Sequence, residues 1–225
     1  MKIILASQSP RRQELLRQMA VRFRVVTLEV EEVHGRGRAA RAICKRNAFA
    51  KAEAVAQQFP KQTVLGADTL VHLDDDLLGK PHSLAEARRM LRRLSGWTHQ
   101  VTTACALVCG RRKKVFSVTT RVTFRELSLK QINAYLRVVP VLDKAGAYAV
   151  QEKGEWIVEA LHGSFTNVVG LPVERLGAEL ANWAAWFDTP AAIRRLCSPC
   201  EYLFAIMFPR KAWPVLKPRR NWMWW

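Results

Sequence analysis

A chain of 225 residues with 49% hydrophobic and 24% charged side chains can build a core, and its composition excludes an intrinsically disordered protein. Its formal net charge of +17 predicts attraction to polyanions, whether nucleotides, nucleic acid or an anionic membrane surface, unless the excess is simply solvated arginine. No run approaches the ~20 apolar residues that span a bilayer, and the early IILA passes at once into polar and basic residues, so a cytoplasmic protein without a transmembrane segment is expected.

In chain order, KIILAS reads as a strand and PRRQELLRQM as a helix, with Ser9 as its N-cap and Pro10 in the first turn. FRVVTLEV reads as extended, and RAARAICKRNAFAKAEAVAQQ as a long amphipathic helix. TVLGADTLVHL is a buried strand, followed by an acidic turn at Asp74 to Asp76 and by LLGKP, which completes a hairpin. Ser83 with Glu86 predicts a capping box ahead of ARRMLRRL. The long β runs WTHQVTTACALVC and KKVFSVTTRVTFREL meet at GRRKK, and Ser128 opens the helix LKQINAYLRVV. AGAYAV and WIVEALHG are expected to resume the sheet, and Pro172 starts the helix PVERLGAELANWAAWF. Strands alternating with helices in this way make an α/β protein.

Beyond residue 187 the periodicity fails, leaving a basic tail rich in proline and tryptophan that ends NWMWW. Residues 1–187 are therefore expected to form the folded domain and residues 188–225 a poorly ordered appendage. Nucleic-acid or anionic-membrane contact by this tail is the less favoured expectation. The five cysteines, an odd number, suggest a reducing compartment. Cys105 and Cys109 lie about 13 Å apart if extended, too far to share a metal. The pair Cys197 and Cys200 has no matching second pair, and so is weak evidence for zinc.

Several stretches could carry chemistry. In LASQSPRRQELL, Arg11 and Arg12 sit at a helix start, where the macrodipole disfavours positive charge. They are either solvated, or they join Ser7, Gln8 and free amides in a nest for phosphate oxygens. Asp68, flanked by apolar strand residues, must be paired, bind a metal or end at a cleft; the alternative is a bulge at Gly66 that turns it to solvent. Glu31 and Glu32 offer further acids, though adjacent acids before a loop are usually solvated; Lys51 lies at the polar edge of its helix, ordinarily a surface position; Lys80 is held extended by Pro81, by default as an exposed hairpin lysine; and Gln151 is able to read the edge of a base or equally to be a loop residue.

Taken together, LASQSPRRQELL, Glu31-Glu32, NAFAKA, LGADTLV, LGKP, MLRRLSGWTHQVTTA, LDKAGAYAVQ and NVVGLPV resemble the Maf family of nucleoside triphosphate pyrophosphatases over about residues 2 to 185. The resemblance implies a mixed twisted sheet with flanking helices, two lobes around a nucleotide cleft, similar to inosine triphosphatase. It also implies a homodimer and a divalent cation, Mg2+ or Mn2+, serving hydrolysis to a monophosphate and pyrophosphate. Arg11, Thr69 and Gln151 are similar to the branch acting on dTTP and UTP, whereas the 7-methyl-GTP branch typically has tryptophan, glutamine and glutamate there.

On that resemblance Asp68 would be the general base or hold the metal, Glu32 would share the metal, Ser7, Arg11, Arg12 and Lys80 would bind the polyphosphate, and Lys51, Thr69 and Gln151 would complete the substrate-binding and specificity set. Modified pyrimidine triphosphates are a further expected substrate class. The competing expectation is a basic nucleic-acid-binding or cell-division regulatory protein with a non-catalytic pocket.

Overall fold

In the computed structural model, which describes residues 2–35 and 39–185, strand β1 (Lys2–Leu5) leads through a short loop into helix α1 (Pro10–Gln18). Strand β2 (Arg22–Val25), helix α2 (Ala40–Gln58), strand β3 (Val64–Leu73) and strand β4 (Asp76–Leu78) follow. Helix α3 (Leu84–Leu94), the long hairpin β5 (Thr98–Cys109) and β6 (Arg112–Phe124), and helix α4 (Leu129–Val138) come next. A one-turn helix α5 (Gly154–Ile157), strand β7 (Val158–His162), the short helix α6 (Phe165–Val169) and helix α7 (Val173–Ala185) complete the described chain.

The described residues form a mixed seven-stranded sheet, ordered β2-β1-β3-β5-β6-β7, with β4 joined to β3. β1 runs parallel to β2 and β3, and the remaining pairs are antiparallel. β3 is central and almost wholly buried, as a strand covered on both faces should be. On one of its edges β5 pairs continuously from Val64 to His72. The other edge is shared: β1 reaches only Leu65 and β4 begins only at Val71. Among the described residues, the backbone edge from Gly66 to Leu70 therefore has no strand partner, and this notch holds Asp68 and Thr69.

The core divides around the notch. α2 covers one face through Cys44, Ala48, Ala52 and Val55, packed on Ile4, Val64 and Ala106. α1 and α7 cover the other through Leu15, Leu16, Leu176, Leu180 and Trp183. Beyond the notch a third cluster unites Val71, Leu91, Phe124, Ile132, Tyr135 and Ile157. The chain is thus a mixed α/β protein with flanking helices, and its two halves of core meet at residues 68–70. No described helix is long and apolar enough to cross a membrane.

Several elements depart from expectation, each for a local reason. The FRVVTLEV strand stops at Val25 because β1, its sole strand neighbour among the described residues, runs out there in the pairing Leu5 with Val25. AGAYAV adds no strand. Ala145–Ala147 make a 3-10 turn with Gly146 and Ala147 at positive φ, and side chains hold the rest: the Tyr135 hydroxyl bonds both the N–H and C=O of Ala149, and the Tyr148 hydroxyl meets His99 Nε2 at 2.8 Å. In WIVEALHG, Trp156 and Ile157 finish α5, so the strand begins at Val158.

Asp76 belongs to β4 rather than to the turn, and Pro172 lies one residue before α7. The box at Ser83 is half made. Its hydroxyl accepts from the Glu86 N–H, but the Glu86 carboxylate accepts from the N–H of His82, one residue earlier. Ser128 and Gln131 form the complete reciprocal box. No bulge occurs at Gly66, where pairing with Ala106 is regular. The expected boundary at residue 187, the C-terminal tail and the Cys197-Cys200 pair lie outside the described residues.

Candidate active site

Alternation along β3 sends Gly66 and Asp68 to the α2 side of the sheet. α2 lies so close that a Cβ on Gly66 would sit 2.2 Å from the Ala48 carbonyl oxygen and 2.9 Å from the Ala52 Cβ. This approach lets two α2 side chains one turn apart, Asn47 and Lys51, reach the buried Asp68. Lys51 Nζ donates to Asp68 Oδ1 at 2.7 Å, and Asn47 Nδ2 to Oδ2 at 3.3 Å.

The same two residues capture the segment before α2. Lys51 Nζ lies 2.8 Å from Glu32 Oε1. Asn47 Oδ1 accepts the Val33 N–H at 2.8 Å, while its Nδ2 donates to the Val33 carbonyl at 3.1 Å. Lys51, whose side chain is 18% exposed, is therefore a bridge between two acids rather than a surface lysine. Burial pushes the Glu32 carboxyl up, but the bond and charge of Lys51, with the charges of Lys80 and His34, outweigh it and hold its pKa below the ordinary value. Lys80, exposed on the loop after β4, acts on Glu32 through charge alone.

Thr69 faces oppositely, toward α1. There the half-buried guanidinium of Arg12 is fixed on three sides: Nη1 donates to Ser7 Oγ at 2.9 Å, Nη2 to Thr69 Oγ1 at 3.0 Å and Nε to the Gly170 carbonyl at 2.9 Å. Ser9 caps α1 by accepting from the Arg12 N–H at 3.5 Å. Burial lowers the Arg12 pKa and the nearby negative Asp68 opposes that, so the two groups share one electrostatic environment. Gly170 ends α6 at φ 126°, a conformation glycine adopts without steric cost. α6 is itself anchored by the fully buried Asn167, which accepts from the Thr103 N–H and donates to the Val101 carbonyl and Thr120 hydroxyl.

Arg11 points elsewhere. It pairs with Asp143 at 2.8 Å, which in turn holds Lys144 at 2.8 Å. Lys144 lies 3.8 Å from Glu152, to which Gln151 Nε2 donates at 3.3 Å. Burial raises the Asp143 carboxyl, but bonds from Lys144 and Arg11 reverse the sign and lower it. Among the described residues, the buried Gln151 Oε1 has no donor. The Gly146 N–H bonds the Gly79 carbonyl at 3.0 Å, tying this loop to the one carrying Lys80.

The structure therefore brings Glu32, Lys51 and Asp68 together, leaves Lys80 exposed with its charge acting on Glu32, sets Ser7, Arg12 and Thr69 on the neighbouring face, and arranges Arg11 and Gln151 along a loop network reached from α1. Sequence reasoning did not single out Asn47, Thr103, Asp143, Glu152 or Asn167. Asn47 alone had a visible signal, a polar residue four before Lys51 on an otherwise apolar stripe. No described cluster of three or more histidine, cysteine or acidic side chains could hold a metal. Two carboxylates converge, with hard oxygen donors of the kind Mg2+ and Mn2+ prefer, and such ions commonly take their other ligands from phosphate and water. The donor chemistry fits a divalent cation bound jointly with a polyphosphate.

Comparison with known proteins agrees with this picture. The chain is 50% identical over 171 residues, 76% of this chain and 90% of the other, to a dTTP/UTP pyrophosphatase of Akkermansia muciniphila. A dTTP/UTP pyrophosphatase of Myxococcus xanthus is 49% identical over 76% of this chain and 87% of its own. Among solved structures, the Staphylococcus aureus Ham1 protein is similar with a TM-score of 0.43 at 20% identity, over 69% of this chain and 90% of that one, a likeness too slight to carry an argument. The family described as "Maf-like protein" matches residues 2–183, and the chain belongs to it.

Proposed function

We propose that this chain is a nucleoside triphosphate pyrophosphatase acting on dTTP and UTP, modified pyrimidine triphosphates included. One observation carries the reading: the stretch of β3 that is paired on its β5 edge alone presents the buried Asp68 to Lys51 and Thr69 to Arg12 at adjacent positions, so one acid stands among cations. The names and identities of the two relatives support it.

The chemistry follows from the groups present. Arg12, Lys80 and the Ser7 hydroxyl would bind the polyphosphate and stabilise charge developing on the leaving pyrophosphate. Asp68 would accept a proton from water as the water oxygen bonds to the α-phosphorus and the bond from that phosphorus to the bridging oxygen breaks. Asp68 and Glu32 would hold the divalent cation, which when bound offsets phosphate charge and acidifies water. The unpartnered Gln151 Oε1 would accept from the imide N–H of uracil or thymine, and Arg11 would fix the loop behind it through Asp143.

Pyrophosphate release from UTP and dTTP, with and without Mg2+, tests the reading. The wild-type chain should yield monophosphate and pyrophosphate in equal amounts, and Asp68→Asn should lose about 10²- to 10⁴-fold of the rate. Release of inorganic phosphate instead, or full activity in the variant, would overturn it. The reading includes a cytoplasmic location, with which the free thiols at Cys44, Cys105 and Cys109 agree, and a homodimer, to be tested by light scattering.

A further inference from the structure

The bridge at Lys51 goes beyond a salt link. Its ammonium lies 2.7 Å from Asp68 and 2.8 Å from Glu32, joining the two acids that would hold a divalent cation. Asn47 braces the same pair of segments without charge, through Asp68 and both backbone groups of Val33. Two like charges brought together need a counter-charge, and here the protein supplies its own.

We infer that Lys51 is a resident cation. It holds Glu32 and Asp68 in register and yields the pair only when a divalent cation arrives already bound to a triphosphate. The inference rests on the proposed hydrolase reading and adds an order of events to it. A dication arriving alone would have to displace the ammonium, which would then face the dication with only water as a new partner. A triphosphate supplies that partner, since its oxygens can receive the ammonium at the end of a flexible four-carbon stem. Arg12 cannot exchange in this way, because hydroxyls and a carbonyl rather than carboxylates hold it. Metal and nucleotide should therefore bind with positive coupling, and the pair of acids should attract free metal only weakly.

Mn2+ binding followed by electron paramagnetic resonance in the absence of nucleotide tests this directly. Lys51→Met should bind Mn2+ about tenfold more tightly than wild type, equivalent to ~1.4 kcal/mol, and adding Asp68→Asn should abolish the gain. Lys51→Gln, which can still hydrogen-bond both acids, is the second variant should methionine impair folding. On the wild-type chain, Mn2+ alone should leave Tm nearly unmoved, whereas Mn2+ with a UTP analogue carrying an imido bridge between the α- and β-phosphorus should raise it. Mn2+ binding no tighter in a folded Lys51 variant, or an equal rise in Tm with Mn2+ alone, overturns the inference. Failure of the hydrolase reading shows separately, as wild-type chain that releases no pyrophosphate, and leaves the Mn2+ titration interpretable.

Discussion

Gly66→Ala is the smallest change that should separate the two sides of the candidate site. A Cβ there would lie 2.2 Å from the Ala48 carbonyl oxygen, 2.8 Å from the Ala52 amide nitrogen and 2.9 Å from the Ala52 Cβ. Ordinary contacts are about 3.5–4 Å, so α2 must retreat by about 1 Å, and the obstacles are helix backbone rather than flexible side-chain ends. Overpacking of this kind costs about 1–3 kcal/mol, which for a domain of this size lowers Tm by roughly 2–4 °C per kcal/mol. The retreat also withdraws Asn47 and Lys51 from Asp68, and a misplacement near 1 Å can cost about 10²-fold in rate. Differential scanning calorimetry, paired with pyrophosphate release well below the lowered Tm, separates the two effects. A variant with wild-type Tm, or one destabilised as expected but fully active, would refute the reasoning that helix proximity sets the site.

Three further outcomes are expected. His99 is buried against Phe124 and Tyr148, and burial, with the charge of His72, lowers its pKa from 6.5 to about 3. Its contribution to stability is complete above pH 6.5 and lost as the pH falls toward 3, because the unfolded chain binds the proton first. About 2 kcal/mol should disappear between about pH 6.5 and 4.5, and His99→Gln should flatten that part of a Tm-against-pH curve, a wild-type slope counting against it. Asn167→Leu strands the Thr103 N–H and Val101 carbonyl and should cost about 3 kcal/mol or more in chemical denaturation, with KM for UTP rising as Arg12 loses its Gly170 anchor; an unchanged midpoint contradicts this. Arg11→Trp releases Asp143 and should reduce kcat/KM for UTP and dTTP about tenfold more than for purine triphosphates, about the worth of one charge-assisted bond, whereas equal loss on every nucleotide would reject Arg11 as a specificity residue.

What the sequence made legible was governed by short-range rules. Period-two and period-3.6 patterning located β3, the β5–β6 hairpin and α2, and the cap residues Ser9, Ser83 and Ser128 marked their helix starts. Asp68 stood out because an acid inside an apolar strand demands a partner. The identity of that partner was less accessible: it depended on how closely α2 approaches Gly66, and the alternative of a bulge there uses the same glycine. AGAYAV shows the opposite failure. Its apolar residues are buried as a strand's would be, yet Tyr135 and His99, on other elements, satisfy its backbone and tyrosine in place of a neighbouring strand. Arg11 meets an acid 132 positions away, a distance at which local pattern carries no information.

The grip on Arg12 has a thermodynamic consequence. Three of its five N–H groups already point at Ser7, Thr69 and Gly170, leaving two for an incoming anion. The rotamer freedom that a long cationic side chain ordinarily surrenders on capture, worth up to ~2 kcal/mol, has here been surrendered during folding. Ligand association then draws on a rigid, half-buried fork, and its free energy carries no charge for immobilising that arm.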